Sequence, residues 1–169
     1  MTRLFGVKNE VCTLWHERID IWQFRHWQRL LQPCEFARPT TMGNTMRRDT
    51  ELLDAIQIYF DALYACDLAL FDQVFHPACS LFDADEGRIT VDPIANYRQV
   101  IAKRVSPASR AQDREDEIIL IDWLSPKAAT VKVRPRIHAN IFIDHLCFAR
   151  GAEGWRIVAK VWHLESVKS

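Results

Sequence analysis

The most regular pattern in the chain runs from Ile141 to Leu164, IFIDHLCFARGAEGWRIVAKVWHL, as two alternating runs separated by Gly151 to Gly154. A period of two marks a strand with one face turned to a core. In the first run every second residue gives Phe142, Asp144, Leu146 and Phe148, a row with a carboxylate set among apolar side chains. The second run offers the row Arg156, Val158, Lys160, Trp162, Leu164 and the alternate row Trp155, Ile157, Ala159, Val161, His163. Upstream, EIILIDWL and AATVKVRPRI have the same character, and short connections at Pro126-Lys127 and Ala139-Asn140 link all four runs into an expected antiparallel meander.

The pattern changes period in the preceding half. Thr50 to Cys66 places Leu52, Leu53, Ile56, Phe60, Leu63 and Tyr64 on one helical face, with Tyr59 on its flank and acidic residues early, where the helix dipole favours them. Asp67 caps an expected short helix, DLALFDQVF, which His76 and Pro77 end. CSLFDADEGRITVD reads as two strands around the turn Asp85-Glu86-Gly87, and Asp92-Pro93 as the cap and first position of a helix reaching about Arg104. The segment SPASRAQDRED is loop-like. Helices first and a long sheet afterwards make an α+β domain, expected over residues 46–169. Residues 1–45 are expected to be an extension, with an amphipathic helix over Glu10 to Gln32 bearing Trp15, Trp22 and Trp27.

Composition narrows the function classes. With 169 residues and 49% hydrophobic content the chain suffices for one domain with a real core. The 22 basic and 22 acidic side chains balance, so neither nucleic acid nor a membrane surface is an expected partner. Residues 1–48 hold 8 basic and 4 acidic groups, leaving 14 and 18 to the remainder. Five scattered cysteines without a C-x-x-C pair, and no apolar leader or 20-residue apolar run, point to free thiols in a cytoplasmic protein.

Asp144 is the leading candidate for chemistry. Burying a bare carboxylate costs several kcal/mol, so it must be hydrogen-bonded, neutralised or turned into a cavity. Desolvation there would raise its pKa and make it a donor or proton shuttle, whereas pairing with Lys160 or Arg134 across the sheet would keep it charged and structural. Lys160, between valine and tryptophan, suits an anchor for an anionic ligand with Trp162 stacking on a flat ring, or a snorkelling side chain on an exposed face. His138, His145 and His163 lack ligand spacing, so no metal site is expected, and the absence of a glycine-rich phosphate loop or G-x-S-x-G elbow gives no cofactor. The arginines from Arg104 to Arg114 are offset by Asp113, Glu115, Asp116 and Glu117 and read as solvated.

Helix, short helix, hairpin, helix and four long strands is the order of the nuclear transport factor 2-like fold, a cone-shaped α+β architecture of three helices on a curved, mostly antiparallel sheet. AIQIYFDALYACD, FHPACSLFD, SPASR, DHLCF and GWRIVAKVWH, in that order over about residues 49–165, resemble the putative lumazine-binding family of that superfamily. A more distant resemblance, to ketosteroid isomerase and polyketide cyclase-like proteins, implies roles by position. Asp83 stands where the isomerase base sits, while Tyr59 and Asp144 stand where its tyrosine and acid hold an enolate oxygen. The polar Arg134 and Lys160 depart from the isomerase, so its steroid substrate does not carry over.

The resemblance implies a small flat organic ligand, held by Asp144 and Lys160 and walled by Tyr59, Phe82, Tyr97 and Trp162. The first alternative is an isomerase, dehydratase or cyclase using Asp83 as base. The second is an interaction module, a homodimer through the open sheet face with Trp155 or Trp123 as an anchor.

Overall fold

The computed structural model describes residues 42–168. Helix α1 (Met42–Ala65) starts earlier than its apolar stripe and runs across the boundary expected at residue 45 without a break. Its first turn therefore carries no acidic residue. The buried face is Leu52, Ala55, Ile56, Tyr59, Phe60 and Leu63, the i, i+3, i+4, i+7 spacing of a stripe against a core. Tyr59 sits in the middle of that stripe, fully buried, while Leu53 is exposed, a reversal of the expected assignment. The helix expected over residues 10–32 lies outside the described residues.

Asp67 caps α2 (Leu68–Val74) as expected, its Oδ1 accepting from the backbone N–H groups of Ala69 and Leu70 at 2.8 and 3.2 Å. The helix ends before Pro77, because Phe75 already takes an extended conformation and opens strand β1 (Phe75–Asp83). His76 thus belongs to a strand, where its Nδ1 accepts from Ala78 N–H. Strand β2 (Thr90–Pro93) pairs antiparallel with β1 across a turn containing Gly87 at φ +78°. Asp92 is part of β2 and does not cap the next helix: Pro93 takes that place before α3 (Ile94–Lys103) without a side-chain cap, and Asp92 Oδ1 accepts from Asn96 Nδ2.

Strands β3 (Glu117–Ser125), β4 (Ala128–Arg134), the short β5 (Arg136–Ile137), β6 (Asn140–Gly151) and β7 (Gly154–Val167) complete a seven-stranded sheet in the order β2-β1-β7-β6-β4-β3, with β5 on β6. The long strands form the expected antiparallel meander, and β1 joins β7 in parallel. One face of this mixed sheet meets the three helices through Leu146, Phe148, Val131, Val133, Trp155 and Ile157.

A β-bulge breaks the expected alternation on β7. Phe148 opposes Ile157 and its neighbour Cys147 opposes Ala159, so Val158 is an extra residue. The phase flips there: Trp155 and Ile157 face the core before it, and Lys160 and Trp162 face inward after it. Arg156 and Lys160 consequently lie on opposite faces despite their even spacing.

Trp155, expected as an exposed anchor, is 5% exposed and packs edge-on against Trp123, over which Arg48 stacks. No described helix is long and apolar enough to cross a membrane.

Candidate functional site

Register explains how three polar side chains come together. Asp144 pairs with Trp162, while Leu146 and Leu81 flank Lys160 on the two neighbouring strands, so Asp144 and Lys160 project from adjacent strands toward α1. There they meet Tyr59. Tyr59 OH donates to Asp144 Oδ2 at 2.5 Å, and Lys160 Nζ reaches the same oxygen at 2.9 Å and the tyrosine oxygen at 3.0 Å. All three are buried: Tyr59 and Asp144 at 0% exposure and Lys160 at 5%.

Asp144 therefore meets its burial requirement by pairing with Lys160, the structural alternative among those the sequence offered, and Oδ2 acts as a double acceptor. Arg134, the other candidate partner, turns instead to Glu165 at 2.6 Å. Desolvation is the largest single influence on Lys160 and opposes its charge, but the charge of Asp144, the neighbouring Tyr97 and the hydrogen bond to Asp144 together outweigh it and hold the pKa above the ordinary lysine value. Burial, followed by the charge on Asp144, pushes the Tyr59 hydroxyl well above its usual value. The lysine ammonium also lies over the rings of Tyr59 and Tyr97 at 5.5 and 5.4 Å, a contact favourable in a desolvated setting.

Next to this triad is a cavity of about 420 Å³. Its apolar wall is Leu63, Leu81, Tyr97, Val100, Pro135, Ile137, Phe142 and Trp162, and its polar lining is Asp83, Thr90, Asp92, Arg104, Asp144 and Lys160. Phe142 and Trp162 stack edge to face at 5.9 Å. Val100, 49% exposed, sits at the rim.

Of the residues singled out from sequence, Asp83, Tyr97, Asp144, Lys160 and Trp162 line this space. Tyr59 lies behind Asp144 and Lys160 and is absent from the lining. Phe82 is absent as well, because Leu81 and Asp83 on either side of it point inward and strand alternation turns Phe82 to the opposite face. Asp83 accepts from Thr90 Oγ1 across the β1–β2 pair.

Arg104 is not part of the solvated basic loop expected from its charged neighbours. It lines the cavity, and its Nη1 is buried without a hydrogen-bond partner. The neighbouring Arg114 is instead paired with Asp61 and Asp116, each at 2.6 Å. A signal for Arg104 does exist: on the helix expected to reach it, Tyr97, Val100 and Arg104 share one stripe at i, i+3 and i+7, although α3 itself ends at Lys103. Asp92 was hidden by its resemblance to a helix cap. Among the described residues no three His, Cys, Asp or Glu side chains converge as a metal site.

Helices on one face of a mixed sheet, with a cavity between them, define an α+β protein of the NTF2-like class. An NTF2-like protein of unknown function from Silicibacter pomeroyi matches with a TM-score of 0.63 at 18% identity, covering 72% of this chain and 98% of that one. A second, from Shewanella baltica, gives 0.64 at 19% identity, with 75% and 98% covered. A ketosteroid isomerase-like protein from Erwinia carotovora atroseptica gives 0.53 at 15% identity, with 69% and 95% covered. At these identities the likeness shows the fold alone. The family is shown by the sequence: the model of the family described as "Putative lumazine-binding" matches residues 47–163, and the chain belongs to that family. No curated protein matches it.

Proposed function

We propose that the chain is a small-molecule-binding protein whose cavity takes a flat, partly polar organic ligand. The observation that carries this reading is the cavity of about 420 Å³, within the size range of small-ligand pockets, with aromatic walls and a few convergent polar groups. Tyr97, Phe142 and Trp162 offer ring faces and edges, and Asp144 Oδ1, buried without a partner, is an acceptor that a ligand donor would satisfy. Membership of a family described as "Putative lumazine-binding" supports a flat ligand of this general kind.

Binding is favoured over isomerase-like chemistry by the position of Tyr59. Its hydroxyl is engaged between Lys160 and Asp144 and does not reach the lining, so the phenol has no free proton to offer an enolate-like oxygen in the cavity.

The test is titration of the full chain with the neutral fluorophore N-phenyl-1-naphthylamine. Saturable enhancement is expected, abolished by Val100→Trp, which fills the rim at an exposed helical position, with circular dichroism unchanged. Absence of saturable binding to the folded wild type, or equal binding to the folded variant, would refute the cavity as the binding site.

A further inference from the structure

The polar groups of the cavity are unequal in what they leave for a ligand. Lys160, Asp144 and Tyr59 bond to one another, and the ammonium and carboxylate cancel in charge. An anion attracted to Lys160 would have to compete with a carboxylate already 2.9 Å away. Arg104 is different. It forms no ion pair with any described carboxylate, and its buried Nη1 has no acceptor. A guanidinium presents five N–H donors in a planar fork that matches an oxyanion edge, and a buried charged donor left unmet is costly. This positive group beside the cavity thus has unused binding capacity.

Helix α3 gives the cavity a direction. Asp92 lies two residues before its first residue, Ile94, and Arg104 directly after its last, Lys103. Ten residues separate these ends by about 15 Å along the helix axis. Asp83 lies on β1, whose Leu81 pairs with Asp92, so both carboxylates belong to the end away from Arg104. Each has one side-chain donor, Thr90 for Asp83 and Asn96 for Asp92, which leaves lone pairs for a ligand.

We propose that the cavity selects a flat monocarboxylic acid bearing a hydroxyl or amino donor at its far end, the carboxylate held by Arg104 and the donor by Asp83 and Asp92. This rests on the small-molecule reading of the same cavity and assigns Arg104 as its specificity-determining residue. The reverse orientation is disfavoured because it would bring a carboxylate against two carboxylates and leave the guanidinium unmet.

Displacement of N-phenyl-1-naphthylamine from the full chain by three naphthalenes tests the inference. 6-Hydroxy-2-naphthoate is expected to bind about tenfold more tightly than 6-hydroxy-2-naphthamide, the scale of one charge-assisted contact. It should also bind several-fold more tightly than 2-naphthoate, which lacks the far donor. Arg104→Gln should erase the acid-over-amide preference, and Arg104→Lys should retain part of it. Acid and amide binding within about twofold of each other in the wild type would overturn the carboxylate assignment without recourse to any variant. So would a preference that survives Arg104→Gln, and equal binding of the two acids would remove the donor end. Entry of the fluorophore without displacement by any naphthalene defeats the inference and leaves the cavity as a binding site. Entry of nothing at all defeats both.

Discussion

Replacing Lys160 by methionine keeps most of the side-chain volume and removes the ammonium 2.9 Å from Asp144 Oδ2. At an effective dielectric constant of about 20, two unit charges at that distance attract by about 6 kcal/mol, a gross figure reduced by the desolvation of both ions. The variant does not simply lose that attraction. It leaves a fully buried carboxylate with Tyr59 as its remaining donor, and breaking a buried pair from one side costs about 3–5 kcal/mol. For a domain of this size that corresponds to a fall in Tm of about 12–20 °C.

Urea unfolding followed by tryptophan fluorescence and far-ultraviolet circular dichroism measures the loss as a shifted midpoint at unchanged slope. Arg134→Met is the control, since its pair with Glu165 is shorter, 2.6 Å, but lies 40% and 37% exposed. Burial and not distance sets the size of the effect, so this variant should lose less than about 1 kcal/mol. Combining Lys160→Met with Asp144→Asn should recover part of the loss, because the stranded charge is gone. A loss below about 1 kcal/mol for Lys160→Met, or strict additivity in the double variant, would refute the description of this pair as a buried, coupled unit.

The raised pKa of Lys160 gives its contribution a sign with pH: present in full below the unfolded lysine value of about 10.4, it is lost as pH rises through the higher folded value. Urea midpoints of wild type and Lys160→Met measured up to strongly alkaline pH should therefore converge. Asp85 behaves oppositely, since the Leu164 N–H and then His163 lower its pKa. Its contribution exists above the unfolded carboxylate value and is lost as pH falls through the folded one, so the midpoint gap between wild type and Asp85→Asn should close on acidification. Gly87→Ala should destabilise by about 1 kcal/mol, because φ is +78° while nothing lies within 4 Å of the added methyl. An unchanged midpoint would show that the turn relaxes.

Much of this architecture was legible because it follows local periodicity. The alternation of Phe142, Asp144, Leu146 and Phe148 marked a strand with one inward face, and that face is where the structure puts them. The Asp67 cap could be read for the same reason, since its acceptor and the Ala69 and Leu70 donors are within three residues. The carboxylate misplaced in an apolar row announced that some buried partner had to exist.

Which of the two candidates, Lys160 or Arg134, it pairs with was beyond the sequence. The bulge at Val158 is set by the mismatch between β6 and β7, and it alone brings Lys160 to the face occupied by Asp144. Tyr59 joins them across 85 residues, through the angle at which α1 lies on the sheet. Arg104 looked solvated because its sequence neighbours are charged, whereas α3 directs it into a cavity closed by residues from β1, β6 and β7. Hydrogen bonding and side-chain period act over a few residues and write themselves into the chain. Strand register and helix packing are chosen by the whole core at once, so the lining of the cavity was decided only when the domain closed around it.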